Sequence, residues 1–116
     1  MVAIQIRSVT TPVISGVPFE VAGSTQTDDV FPENALIVLQ QAASDAGPWT
    51  AAGRLGSGLP LECDALGYGA NNSFIFHPVA NSACYARAAV VVDEELVDFP
   101  SNVVYLNVKK PTPHED

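Results

Sequence analysis

The sequence predicts an all-β protein, an antiparallel sandwich of seven to eight strands, and three observations carry that expectation. Short apolar runs alternate with period two, turn-forming residues separate them at regular intervals, and no stretch has the periodicity of a three-turn helix. The last third is the clearest part. Cys84-Tyr-Ala-Arg-Ala-Ala-Val-Val-Val92 is a long apolar strand, an acidic turn follows it, and Asn102 to Lys109 alternates again as a closing strand. Such neighbours arise when one sheet face packs on a core and the other meets water.

Each element has its own local cause. Residues 2 to 14 alternate weakly and contain Thr11-Pro12, which suits an edge strand because proline has no N–H to give to a ladder. Pro18 to Gly23 sends Phe19 and Val21 inward and Glu20 and Ala22 outward. Residues 24 to 33 hold polar turn formers and a proline and are expected to be a loop. Residues 35 to 41 form the next strand, and Ser44 to Pro48 turn it into a hairpin with Trp49 to Arg54. From Leu55 to Asn72 glycines and Pro60 interrupt every apolar stretch, so only a short strand around Leu59 to Asp64 is expected. Ser73 to His77 is a strand stopped by Pro78, residues 79 to 83 form a corner, and residues 94 to 100 are expected to be a connecting loop. Residues 1 to 110 therefore read as a single domain, and 111 to 116, without an apolar anchor, as a mobile C-terminal tail.

Parity then assigns the core. Val21, Ile37, Leu39, Phe74, Phe76, Ala86, Ala88 and Val104 are the expected inward positions. For the long strand the choice rests on Arg87, whose burial would be costly, so Cys84 shares the inward set.

Composition narrows the function classes. The chain has 116 residues, enough for one core without metals or obligatory disulfides. Hydrophobic residues make up 47% and charged residues only 16%, and a contact surface or a homo-oligomer would account for the surplus. Thirteen acidic residues against five basic ones give a net charge of −8, and no basic stripe exists, so neither nucleic acid nor an anionic membrane is an expected partner. The start, Met1 to Ser8, alternates like a strand and lacks the basic and apolar regions of a secretion signal. Cys63 and Cys84 are expected to be free thiols in a reducing compartment. A disulfide between them is the alternative if the mature protein lives outside a cell.

In chain order the motifs are Pro18-Phe-x-Val-x-Gly23, Val38-Leu-Gln40, Gly47-Pro-Trp49, Phe74-x-Phe76, Tyr85-x-Arg-Ala88 and Ser101-Asn-Val-Val104. Over residues 13 to 109 this order resembles the immunoglobulin-like and fibronectin-III-like modules of bacteria and their phages. The resemblance implies an immunoglobulin-like sandwich. Taken with the acidic composition and the missing export signal, it implies a non-enzymatic structural or interaction module, most specifically a virion surface protein such as a tailed-phage capsid decoration protein. Its partner would be a capsid or other virion surface protein, and its location the virion after synthesis in a host cytoplasm. The alternatives are an adhesion or stalk repeat, or a carbohydrate-binding accessory domain, from a larger exported protein at the cell surface.

Catalytic chemistry has no foothold in the sequence. There is no Gly-x-Ser-x-Gly elbow, His77 precedes a proline at a strand end, and His114 lies in the tail. Gly56-Ser-Gly58 and Gly67-Tyr-Gly69 lack the following helix that a phosphate loop needs. In the expected sandwich the second and sixth connections share one end. That gathers Asp28, Asp29, Glu33, Asp93, Glu94, Glu95 and Asp98 into an acidic pole. Their oxygens suit calcium, yet the Asp-x-Asp-x-Asp spacing is absent and solvated loops that discourage self-association are the expectation, with no metal or cofactor. Candidate interaction residues are Trp49, expected to plug the sandwich edge, and Lys109 and Lys110 at the end opposite the acidic pole.

Overall fold

The computed structural model describes residues 2–27, 35–51, 61–63, 66–67, 73–93, 95–97 and 100–110. Among them there are only strands, turns and bends. In chain order the strands are β1 (Val2–Val9), β2 (Val13–Ile14), β3 (Val21–Thr27), β4 (Leu36–Ala42), β5 (Thr50–Ala51), β6 (Leu61–Glu62) and β7 (Leu66–Gly67). They continue with β8 (Ser73–Phe76), β9 (Val79–Ala80), β10 (Cys84–Val92), β11 (Glu95–Val97), β12 (Val104–Leu106) and β13 (Val108–Lys109).

Two antiparallel sheets dominate. One has the order β1-β3-β8; the other has β11-β10-β4-β5, with β12 also on β10 and β7 also on β4. Two small pairs complete the fold, β6 with β9 and a parallel pair of β2 with β13. The all-β, antiparallel expectation therefore holds at the level of secondary structure and sheet pairing.

The core explains the pairing. Ile4, Ile6, Val21, Phe74 and Phe76 from the first sheet join Ile37, Leu39, Cys84, Ala86, Ala88, Val90 and Leu106 from the second in one buried cluster. Bulk and smallness alternate across it: the Phe74 and Phe76 rings meet edge to face at 5.7 Å, while alanines line the inward side of β10. Gly23 is required for the same reason, since a Cβ there would collide with the Phe74 ring and the Gln5 carbonyl oxygen. Every expected inward residue lies in or against this cluster, although Val104 is only half-buried and Leu106, two residues on, supplies the full burial.

Several boundaries differ from expectation, each for a local reason. β3 runs on to Thr27 rather than ending at Gly23, because β1 offers it a partner at every position from Val2 to Val9 except the bulged Arg7. Polar residues form this strand because its outward face is solvated. The weak first strand is really two: β1 pairs with β3, and beyond Thr11-Pro12 the chain shifts to β13. The expected loop from 94 to 100 contains β11, a hairpin on β10 whose turn places Asp93 at φ 52°, a conformation that aspartate tolerates better than most residues.

β11 and β12 occupy the same edge of β10, with extra chain between them. From Val90 to Ala86 β10 covers four steps, whereas its partners cover seven, from Val97 to Val104. Ser101 repairs the gap. Its N–H donates to the Ala88 carbonyl at 2.8 Å, and its hydroxyl accepts the Ala88 N–H at 2.7 Å. Next to it, the Asn102 side chain clamps the first sheet by accepting the Ile6 N–H at 2.9 Å and donating to the Ile6 carbonyl at 3.2 Å. One short sequence thus ties both sheets together.

Candidate interaction surface

The core-facing set on β4 and β10 leaves a complementary set on the outward face of the second sheet. On β10 these residues are Tyr85, Arg87, Ala89 and Val91; their register partners on β4 are Ala42, Gln40, Val38 and Leu36. β11 adds Leu96 beside Val91, and β12 adds Tyr105 beside Tyr85. Such a face ordinarily alternates to polar. Here Leu36, Leu96 and Tyr105 are exposed, Tyr105 to 56%, Val38, Tyr85 and Val91 are half-buried, and the small Ala42 and Ala89 between them are buried. Tyr85 and Tyr105 stack as a cross-strand pair, ring centroids 5.0 Å apart.

Arg87 sits in the middle of this face. Its Nε donates to the Gln40 Oε1 at 2.7 Å, and its guanidinium lies 4.4 Å from the centre of the Trp49 ring. Trp49 is therefore not the expected plug over a sheet edge. It is half-buried on the outward face as the platform for Arg87, at the end of a turn closed by Ser44, whose hydroxyl donates to the Gly47 carbonyl at 2.8 Å. Half-burial removes water from Arg87 and pushes its pKa down.

Tyr105 also lines a groove of about 420 Å³, which runs between the end of β1 and β12 and is bordered by Val9, Pro12, Val104, Asn107 and Lys109. Lys109 and Lys110 are exposed, and Lys109 belongs to β13, where its carbonyl accepts the Ser15 N–H at 2.8 Å. Trp49 and Lys109 thus mark the two ends of one strip that passes through Arg87, Tyr85 and Tyr105. The middle of the strip is what sequence reasoning missed. Its signal was present: once Cys84, Ala86 and Ala88 face the core, the remaining residues of β10 are too apolar and aromatic for a face that only meets water.

The acidic pole is described in part. Asp93 and Glu95 are exposed at the far end of β10 from Lys109, as the direction of the strands predicts. Asp28, Asp29, Glu33, Glu94 and Asp98 lie outside the described residues. Among the described residues no three histidines, cysteines or carboxylates gather as a metal site, and no helix is long and apolar enough to cross a membrane. Both cysteines are buried and unbonded to each other, and burial pushes the Cys84 thiol pKa up. Buried Gln41 accepts the Leu61 N–H at 3.1 Å through Oε1, while among the described residues its Nε2 finds no acceptor. His77 is exposed.

With this geometry in view, the chain matches no family model, and no curated protein or solved structure is significantly similar to it.

Proposed function

We propose that this domain is a non-enzymatic interaction module built as an immunoglobulin-like sandwich. The strand order supports the fold proposal: β1, β3 and β8 lie on one side, β4, β10 and the β11/β12 edge on the other, and β2 changes sides to run parallel to β13. A single core draws on both sheets. The observation that carries the functional proposal is the outward face of the β10 sheet, where exposed Tyr105, Leu36 and Leu96 surround a stacked arginine instead of the polar residues that solvent favours. Tyrosine, tryptophan and arginine are the side chains that dominate protein contact surfaces.

In its most specific form the proposal makes the protein a virion surface component, a capsid decoration protein, whose partner is a capsid or other virion surface protein. The resemblance to phage modules and the acidic composition support that form. Co-sedimentation with undecorated capsids is its test. Saturable binding that leaves the shell intact is expected, and protein that stays in the supernatant at all concentrations would overturn the capsid form. The face disfavours a sugar-binding role, since one side of the Trp49 ring already carries a guanidinium.

A further inference from the structure

Arg87 is the only charged side chain on the outward face of the β10 sheet among the described residues. Its partners are a neutral amide and an indole, and no described carboxylate pairs with it. Among the described residues no acceptor stands on its terminal amino groups. Arg7, on the other sheet, is exposed and bonds the Ser24 hydroxyl at 2.8 Å. Arg87 is already half out of water, and any surface closing over Tyr85, Tyr105 and Leu36 would remove more. That burial is unfavourable unless the incoming surface brings an anion, and the guanidinium fork is shaped for a carboxylate.

We propose that this face docks a protein segment that sets an aspartate or glutamate on Arg87, with apolar side chains on either side of it. On one flank they would cover the Tyr85 and Tyr105 rings, and on the other Leu36, Val91 and Leu96. The proposal rests on the interaction-module reading but not on its capsid form. A second copy of this chain fits less well: a two-fold arrangement centred on the face would oppose Arg87 to Arg87, with no described carboxylate on the face to separate them. Size points the same way. Four strands about 4.8 Å apart and the nine residues of β10, the longest of them, bound the face at roughly 20 by 30 Å, at most about 600 Å², which suits a modest heterologous contact better than an obligate dimer.

The test uses a phage-displayed library of random dodecapeptides, panned on the immobilised full chain, with Arg87→Gln as counter-bait and Arg7→Gln as control. Enriched peptides are expected to carry an acidic residue flanked by apolar ones, although a chain of charge −8 would by bulk attraction select basic peptides. Synthetic versions should lose roughly thirtyfold or more in affinity on Arg87→Gln, less on Arg87→Lys, and nothing on Arg7→Gln. Tyr105→Ser, at an exposed position, should weaken them while the protein stays folded, its melting midpoint lowered only by the loss of the Tyr85 stack. Basic or carboxylate-free winners, equal binding to Arg87→Gln, or no enrichment would each overturn the proposal. So would a dimer of the purified chain that Arg87→Gln dissolves, which would make the occupant a second copy. Capsid binding that survives Arg87→Gln would remove this inference and leave the proposed function standing. Acidic peptides that require Arg87, with no capsid binding by the native chain, would keep this inference and the interaction-module reading and remove only the capsid form.

Discussion

The two sheets turn opposite kinds of surface outward, although their inward faces feed the same core. Outside the β1-β3-β8 sheet stand Gln5, Arg7, Ser24, Gln26 and Ser73, with Ile75 as the main apolar exception. Outside the β10 sheet stand Leu36, Val38, Tyr85, Val91, Leu96 and Tyr105 around one arginine. The two arginines make the contrast concrete. Arg7 sits at a bulge, exposed, on a serine hydroxyl; Arg87 lies half-buried against an indole. A solvated face needs only polarity, whereas the second face spends apolar and aromatic residues that water does not reward. That difference is the physical basis for proposing a contact surface on one sheet and not the other.

The sharpest way to break this comparison is to test the register that creates it. Phe74 is 3% exposed, so Phe74→Ala should cost on the order of 3 to 5 kcal/mol in a urea titration. A loss below about 1 kcal/mol would mean that β8 shows the other face and that the outward set is misassigned. Next in size is Ser101, which holds the β11/β12 edge, and with it Leu96 and Tyr105, against β10. Ser101→Ala strands the Ala88 N–H and should cost about 1 to 3 kcal/mol, with faster hydrogen exchange at Ala88. Unchanged exchange there would show that the edge is held by other means.

The arginine pair sharpens the comparison at lower cost. Arg87→Gln should lose only about 0.5 to 1 kcal/mol of stability, the worth of its stacking on Trp49, and Arg7→Gln less than about 0.5 kcal/mol. Equal effects would erase the distinction between the faces. The smallest effect concerns Cys84, whose inward position fixes Tyr85 outward. Its pKa is raised in the folded state, so the neutral thiol is the favoured form. The stability it lends is complete below the unfolded thiol value of about 8.5 and fades as pH rises above that value. Alkylation of the native protein should accordingly be slow, and rapid labelling of Cys84 at neutral pH would reverse the parity of β10.

Period two makes much of the fold legible in the sequence. β10 was readable to its ends, because Cys84 to Val92 is long, apolar and bounded by turn residues, and the cost of burying Arg87 selected the correct face. The second half of β3 was not, since Ser24, Thr25, Gln26 and Thr27 look like a loop until β1 supplies their ladder. β11 was hidden for a related reason: its Glu95 and its acidic turn resemble solvated linker, and only pairing with β10 makes it a strand.

Of the candidate site, only the two end residues stand out in the sequence. Trp49 and Lys109 stand out as single residues, but their connection depends on Gln40, Arg87, Tyr85 and Tyr105 meeting across three strands, and sequence spacing does not reveal register. The structure also changes how Lys109 must be tested. Cutting the chain before it would remove half of the β2–β13 pair and the carbonyl that accepts the Ser15 N–H, so Lys109→Gln is the variant that separates charge from fold.

The most direct measurement compares Arg87→Gln with Arg7→Gln for binding to undecorated capsids, at a temperature where each variant is first shown to be fully folded. The two substitutions remove the same charge from the same chain, one from each sheet. Binding weakened at least tenfold by Arg87→Gln and unchanged by Arg7→Gln is the expected result. Equal binding by both variants, or a greater loss with Arg7→Gln, would contradict the placement of the contact surface on the β10 sheet.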